Sequence, residues 1–534
     1  MYFLPGMITG LLLARSLPGE PWILPIAFSL ALLSAPLAKK GPPALWLAAF
    51  IPAVVLAFWF YGTVRLPAQP EAELLSRPPR EALVEMEIKR IMQAETRYGK
   101  STGVARVIRA NETSRLEKNS LIYLRLSPHD TAEFEIMRGL AIQLTAVVRP
   151  IPEHVPPDSF DAYLQEIGIH YRLEQTSGAR ILRQPTPFQR LCHQANRKFE
   201  NFLKLGEPED SQLSQIYVAM LLGEKAQLSD EQSDRFRMTG TMHLFAISGL
   251  HIGVIATVIW QVLLLCRLPS KLRPFLGLPL LYFYVEITGA APSAVRAFLM
   301  VAFFWVSMGL QRQRSPLSAL AASAVLVLLV QPLQLWQMGF QLSYLVVISI
   351  LMFGLPLREQ LWPLLRPNKF LPEADWSRFQ IVKHWLADKL LLLFAISFSA
   401  WLASAPLSAG FFGFIAPYAI LVNMFLVNLA ALVISGGVIA LSFACIGLEG
   451  LTSFLNHSAW MGISLMDALV RFNLALPWAI VECPEFPAAL SYSGILAYLA
   501  AIFILGRKYK ASIRFTLPVA VVLACLALGL AAGP

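Results

Sequence analysis

His243-Leu-Phe-Ala-Ile-Ser248-Gly249-Leu-His251-Ile-Gly253-Val is the most informative part of the sequence, because it has polar residues at the start of an apolar run that continues to Cys266. In hydrocarbon each unpaired polar group costs several kcal/mol. Polar side chains in a membrane span therefore usually face a protein interior or a water-filled passage. The stretch predicts a membrane helix that begins at a polar mouth and lines a passage.

The composition around this stretch is that of a membrane protein. Of 534 residues, 56% are hydrophobic and 15% are charged, and the mean hydropathy is +0.56. A soluble domain would carry about 25% charged residues. We therefore predict a polytopic α-helical membrane protein. Its formal charge of +10 falls largely in short loops, where basic residues orient a chain by the positive-inside rule. This charge is not by itself a sign of nucleic-acid binding.

Four regions follow from the hydropathy pattern. Residues 1–65 form an N-terminal membrane anchor of two or three spans, with Lys39 and Lys40 in the cytoplasm. Residues 66–185 contain 16 basic and 16 acidic residues and five segments with the period of two that strands show. We predict a small inserted β-barrel there, OB-like and extracytoplasmic, that binds single strands or serves only as a structural docking domain. Connecting amphipathic helices occupy 186–239, and 240–534 is a channel domain of about 9–10 spans.

The spans of the channel domain can be placed by hydropathy. They are 244–266, 274–290, 294–311, 316–332, 336–357, 389–411, 417–447, 459–476, 490–506 and 514–532. The run 417–447 is long enough to contain a break. The segment 459–476 carries Asp467 and Arg471, so its alternative is an amphipathic helix in the interface. With the barrel outside, the basic loops fall in the cytoplasm and Glu482 and Glu485 fall outside.

Several further polar residues occur at span ends. Arg296 lies about one turn into a helix, after a Gly/Pro break at 288–293, and Glu286 is its candidate ion-pair partner; the alternative is an arginine that snorkels to the interface. Gln341 and Ser343 open another span, and Asn423 lies in 417–447. Such side chains often only join helices. The case for a passage therefore depends on their occurring together.

The two histidines and the serine are weaker evidence for a metal site or for catalysis than for a passage. On one helix His243 and His251 would be about 80° out of alignment, and without a carboxylate nearby they make a poor metal site. The five cysteines are scattered without a CxxC pair, so we expect no metal and no cofactor. A hydrolase that uses Ser248 with a histidine would need an acid, and no GxSxG elbow is present. We therefore expect that this protein is not an enzyme.

At these residues the chain resembles the ComEC-type competence proteins, a family that forms the inner-membrane channel for single-stranded DNA in natural transformation. The resemblance lies in a series of strings that follow the family's order. They are 157–169 at the end of the barrel, 219–224, 239–251, 288–297, 339–343, 405–407 and Asn423. His-x₄-Ser-Gly-Leu-His is specific, and the others support it as a set.

Two departures from the family pattern are visible. Asn428 stands where members often have a proline. Many members also continue into a metallo-β-lactamase-like domain that degrades one strand, whereas this sequence stops at Pro534 without an HxHxDH motif. We therefore expect a form that lacks this domain, with strand degradation left to a separate protein.

The resemblance implies a channel in the bacterial inner membrane that takes up single-stranded DNA. The candidate lining or polar-core residues are His243, Ser248, Gly249, His251, Arg296, Gln341, Ser343 and Asn423. Arg296 would contact phosphate or sugar, and the others base edges or neighbouring helices. No P-loop is present, so the expected partners include a cytoplasmic motor or strand-binding protein, a separate DNA receptor or nuclease, membrane lipid and a second copy in a homodimer. The alternatives are a transporter of a small solute or lipid-linked intermediate, and a membrane-embedded hydrolase.

Overall fold

A computed structural model describes most of the chain in fifteen stretches. They are 3–17, 19–40, 42–67, 78–93, 101–111, 116–126, 134–152, 154–156, 159–207, 213–224, 230–245, 247–310, 315–366, 376–505 and 511–532. The chain forms two compact units. The first comprises Met1–Met92, Arg97–Pro185 and Leu299–Gln341, and the second comprises Gln93–Thr96, Thr186–Phe298 and Leu342–Pro534.

The first unit begins with three apolar helices, which are α1 (Phe3–Ser16), α2 (Ile23–Lys40) and α3 (Pro43–Arg65). Helices α1 and α3 run in the same direction and pack through small residues, as membrane helices commonly do. A Cβ on Gly10 would lie 2.4 Å from the Val55 carbonyl oxygen, so only glycine allows this approach. The Trp59 indole N–H donates to the Leu17 carbonyl at 2.8 Å, which fastens the two helix ends together.

A closed five-stranded barrel follows. Its strands are β1 (Arg80–Gln93), β2 (Ser101–Ala110), β3 (Leu121–Leu126), β4 (Ala141–Pro150) and β5 (Ile169–Arg183). The order around the barrel is β1-β2-β3-β5-β4. Strands β3 and β5 are parallel, and β2–β3, β4–β5 and β1–β4 are antiparallel. This is the OB-type arrangement, so all five predicted strands and the inserted barrel are confirmed.

The barrel is filled by the inward side of each alternating strand. Val84, Met86 and Ile88 of β1 are buried, as are the alternate apolar residues of β3 and β4. A short helix, α4 (Phe160–Glu166), begins at Ser159, whose hydroxyl accepts from the Ala162 N–H at 3.1 Å. Helix α4 lies in the β4–β5 connection and closes a second, smaller core.

Fourteen further helices complete the described part of the chain. They are α5 (Pro187–Leu203), α6 (Leu213–Leu222), α7 (Asp230–Met238), α8 (Gly249–Leu265), α9 (Leu272–Ile287), α10 (Pro292–Gly309), α11 (Pro316–Val330), α12 (Met338–Ser349), α13 (Leu355–Leu365), α14 (Arg378–Phe412), α15 (Ala419–Cys445), α16 (Glu449–Leu474), α17 (Ala488–Ala500) and α18 (Ala511–Ala532). Two short strands, β6 (Phe414–Ile415) and β7 (Val481–Glu482), pair antiparallel.

Three sequence predictions need refinement here. Helix α15 is continuous, so the run 417–447 contains no break. Helix α5 is amphipathic as predicted, but the region 186–239 is not amphipathic throughout, because α6 is buried on every face from Ile216 to Leu222. The predicted span 336–357 is interrupted by a π-helical turn at Ile350–Gly354, and a second such turn follows α17 at Ala501–Leu505.

Among the described residues, six helices are long and apolar enough to cross a membrane: Ala44–Arg65, Pro292–Gly309, Met338–Leu365, Arg378–Phe412, Ala419–Cys445 and Ile513–Ala531. Shorter apolar helices, including α1, α8 and α11, accompany them. The chain is therefore a multi-pass membrane protein. Helix α16, which contains an Asp467–Arg471 ion pair at 2.6 Å, belongs to neither group of helices. The number of spans and the boundaries of the four regions remain predictions.

Candidate channel entrance

The entrance turn consists of residues 239–245 and 247–248, between the polar helix α7 and the apolar helix α8. Two fully buried threonines begin it: Thr239 Oγ1 and Thr241 Oγ1 lie 2.7 Å apart, and each hydroxyl also donates to the Phe236 carbonyl. Gly240 between them has φ +69°, a conformation that glycine adopts without strain. The threonines were missed as site residues, although the string 239–251 contains them.

Ser248 caps α8 and is itself held by His251. The Leu250 N–H donates to Ser248 Oγ at 3.2 Å, and the Ser248 N–H donates to His251 Nδ1 at 3.3 Å. This is a capping box with histidine in place of the usual acid or amide. The polar residues at the mouth of the span therefore satisfy backbone groups that a helix start leaves unpaired.

The cap also decides how the two histidines relate. His243 lies in a 3₁₀ turn, Met242–Leu244, outside α8. The angle of about 80° that one continuous helix would give therefore does not apply, because His243 and His251 lie in different elements. The two rings lie close enough to interact electrostatically. No metal-binding group of three or more His, Cys, Asp or Glu occurs among the described residues.

The Ser248–His251 pair meets the distance that a hydrolase would need, since Ser248 Oγ lies 3.0 Å from His251 Nδ1. In a triad the second ring nitrogen bonds an acid. Here His251 is fully buried, and its Nε2 has no hydrogen-bond partner within the described ranges. Because Ser248 Oγ already accepts from Leu250, helix capping accounts for the pair.

A second loop is fastened to the entrance turn. Ser293, at the start of α10, donates its hydroxyl to the Ile247 carbonyl at 2.5 Å. The loop before it turns at Gly289 (φ +79°) and Ala290 (φ +49°). Ser293 was not among the predicted site residues, although it belongs to the string 288–297. It ties the start of α10 to the residue that precedes the α8 cap.

Arg296 lies one turn further into α10 and is buried, with 3% of its surface exposed. Its Nη2 donates to Ser343 Oγ in α12 at 3.1 Å. The burial argues against the snorkelling alternative, in which the guanidinium would reach solvent. Glu286 accepts from the Tyr282 hydroxyl at 2.8 Å, and its pairing with Arg296 stays a prediction.

The remaining predicted residues occupy different surroundings. Gly249 is exposed at the first turn of α8, with open space around it. Asn423 lies near the start of α15, and its Oδ1 is buried without a hydrogen-bond partner in the described part of the chain. Gln341 belongs to the first unit, where its amide donates to the Leu335 carbonyl at 3.1 Å. The second unit thus brings together Ser248 with His251, and Arg296 with Ser343.

His243 is the accessible member of the entrance turn. Its ring is exposed, and its Nδ1 lies 3.0 Å from the Gly240 carbonyl. Desolvation by the surrounding protein nevertheless lowers the pKa of His243, while the bond to Gly240 opposes this shift. A molecule at the entrance turn can contact the exposed ring of His243.

No solved structure matches the chain. The ComE operon protein 3 of Bacillus subtilis (strain 168) is 28% identical over 216 residues, which cover 40% of this chain and 27% of that protein. An uncharacterized protein of Aquifex aeolicus (strain VF5) is 31% identical over 147 residues, covering 27% of this chain and 34% of that protein. The matches thus span about a quarter to a third of these relatives' lengths.

The family comparison covers more of the chain. The model of the Competence protein family matches residues 220–508, which include α7 to α17, the entrance turn and both members of the Arg296–Ser343 contact. The match extends over more than half of the sequence. The resemblance seen in the motifs is confirmed, and the chain belongs to the Competence protein family.

Proposed function

We propose that this protein is an inner-membrane channel that takes up single-stranded DNA during natural transformation. Membership of the Competence protein family supports a role in DNA uptake. The channel proposal rests on the position of Arg296. This residue is a buried guanidinium in a membrane helix. It lies one turn after the loop that Ser293 joins to the entrance turn.

A buried arginine is expensive in a membrane, so its retention calls for a function. Guanidinium groups bind phosphate with several directed N–H donors. Ser343 occupies one donor of Arg296 and fixes the direction of the group. A strand that passes the entrance turn would present base edges to His243, and its phosphates would reach the buried Arg296 when the contact between Arg296 and Ser343 opens.

The other parts of the proposal concern partners. Because the sequence has no P-loop, a cytoplasmic motor or strand-binding protein would pull the strand. A separate receptor or nuclease would deliver it, and a second copy of the chain would complete a homodimer. The nearly neutral barrel, with 16 basic and 16 acidic residues in 66–185, would lie outside the cytoplasm.

Arg296→Ala tests the proposal in a competent host that lacks its own copy of the gene. Loss of a charge-assisted hydrogen bond to phosphate costs about 1.5–3 kcal/mol, so we expect nuclease-resistant uptake of labelled DNA to fall about tenfold or more. Arg296→Lys, which keeps the charge without the planar fork, should retain part of the uptake.

Arg378→Ala, at an exposed position at the start of α14, is the matched control and should leave uptake unchanged. Immunoblots of membrane fractions establish that all variants insert equally. Normal uptake by Arg296→Ala at an equal protein level would refute a role for this side chain in DNA passage.

A further inference from the structure

Three aromatic rings gather on the outer surface of the barrel. Phe160 meets Tyr123 edge to face, with centroids 5.2 Å apart, and lies over Tyr163 at 6.0 Å. These are three of the six aromatic residues in 66–185. Tyr123 points outward because its neighbours Ile122 and Leu124 fill the barrel interior. We call the three rings with Arg90 and Arg172 the aromatic platform.

Two arginines complete the platform. The Arg172 guanidinium lies 5.9 Å from the Tyr123 ring centroid and 5.8 Å from that of Phe160, within the range of cation–π attraction. It also pairs with Asp161, which holds it in place. Arg90 Nη1 lies 3.4 Å from the Tyr163 hydroxyl. Guanidinium groups therefore stand on two sides of the rings, and the charge of Arg172 is balanced by Asp161.

Tyr123 and Tyr163 pack against the small core beside α4, and Phe160 is the exposed ring of the platform. Leu164 of α4 is fully buried in the small core with Ile151 and Ile169, whereas Phe160 leaves 44% of its surface exposed. A large ring in contact with water on a domain outside the membrane gains little from the hydrophobic effect. A flat π-surface with adjacent guanidinium groups is chemically suited to stack a nucleobase.

The position of the platform in the fold agrees with this chemistry. Tyr123 is on β3 and pairs in register with Arg172 on β5, and Phe160 and Tyr163 are in the β4–β5 connection. OB barrels bind oligonucleotides on the β2–β3 face with the help of this same connection. The overall charge balance of the barrel does not oppose such binding, because stacking needs no net charge.

We propose that the aromatic platform stacks bases of single-stranded DNA, with Phe160 as the main stacking ring. This inference rests on the proposed function and assigns the barrel a direct part in it. The binding is independent of sequence, since every base has a π-face.

The test is binding of the full-length protein, in detergent or nanodiscs, to fluorescent oligothymidine of about 15 nucleotides, near the upper limit of the site size of one OB fold. An abasic oligomer of equal length keeps the phosphates and removes the bases. Phe160→Ala should weaken oligothymidine binding about five- to tenfold and leave abasic binding unchanged. Phe160→Trp should restore binding. Leu83→Ala, at a position 45% exposed on β1, is the matched control and should match wild type.

Three outcomes would overturn the proposal: an equal loss for both oligomers, an equal loss in Leu83→Ala, or unchanged oligothymidine binding in Phe160→Ala. The channel proposal is judged separately by Arg296→Ala. If uptake depends on Arg296 while Phe160→Ala binds oligothymidine normally, the proposal for the aromatic platform is wrong and the channel proposal is retained. If Phe160→Ala loses base-dependent binding while Arg296→Ala takes up DNA normally, the platform stands and Arg296 has no role in DNA passage.

Discussion

Ser248 shows how one residue can satisfy two different chemical descriptions. Its Oγ lies 3.0 Å from a histidine ring nitrogen, as a nucleophile would, and accepts from the Leu250 N–H, as a helix cap does. The choice depends on what surrounds the histidine. His251 is fully buried, and no acid bonds its Nε2 within the described residues. The contacts of Ser248 among these residues are those of a helix cap.

Substitutions at Ser248 separate the two roles. Asparagine caps helices about as well as serine but has no hydroxyl, whereas alanine removes the cap at a cost of about 1 kcal/mol. We expect Ser248→Asn to take up DNA at the wild-type level and Ser248→Ala to unfold at a lower temperature in detergent. Intrinsic fluorescence and the uptake assay measure the two effects. If asparagine abolished uptake while leaving stability intact, the hydroxyl would have a chemical role.

At the same scale, the sequence places single residues but not their partners. Arg296 is predicted one turn into its helix from the Gly/Pro break before it, and the structure places it there. Its contact with Ser343 joins residues 47 positions apart, which no local periodicity encodes. The Ser248–His251 cap could have been predicted, because the spacing of the two residues is that of a capping box. It was missed because a histidine stands where the motif usually has Glu or Gln.

At the scale of elements, apolar runs predicted helices well because a membrane forces every backbone group into a local hydrogen bond. One departure lies beside a buried polar contact between residues far apart in the sequence. The π-helical turn at Ile350–Gly354 follows Ser349, whose hydroxyl donates to the Ser399 carbonyl at 2.7 Å and lies 2.5 Å from the Tyr498 hydroxyl. Hydropathy cannot show such a turn, because the change in register does not alter which residues are apolar.

The close contact between α1 and α3 depends on Gly10. A Cβ on Gly10 would lie 2.4 Å from the Val55 carbonyl oxygen and 2.8 Å from the Trp59 nitrogen, and backbone atoms cannot move aside as a flexible side chain can. We expect Gly10→Ala to destabilise the protein by about 1–3 kcal/mol, the usual cost of overpacking. The thermal midpoint of the purified protein in detergent measures this.

Gly253→Ala is the matched control. Gly253 is also helical, in α8, but nothing lies within 4 Å of its hypothetical Cβ. Alanine favours a helix over glycine by about 1 kcal/mol, so this variant should be as stable as wild type or slightly more so. Equal losses in the two variants would show that α1 and α3 do not depend on the close approach at Gly10.

At the scale of the whole molecule, contacts within each unit agree with the sidedness predicted from charge. In the first unit, Tyr61 near the end of α3 donates to the Leu329 carbonyl near the end of α11, and Arg15 lies 4.8 Å over the Trp336 ring. In the second unit, β6 and β7 pair, so the α14–α15 and α16–α17 connections share a side. The positive-inside rule assigns these residues and both connections to the outer side of the membrane, although the rule contains no information about which residues are in contact.

Single cysteines in a background without the five native ones test this topology. Leu182→Cys is on the barrel surface, Glu485→Cys follows β7, and Lys271→Cys is in the basic loop between α8 and α9; all three positions are exposed. Because charge places only the last one in the cytoplasm, a membrane-impermeant maleimide added to spheroplasts should label the first two. Lys271→Cys should react only after the membrane is permeabilised. Labelling of Lys271→Cys in intact spheroplasts, with the barrel position protected, would reverse the orientation and remove the barrel from the path of incoming DNA.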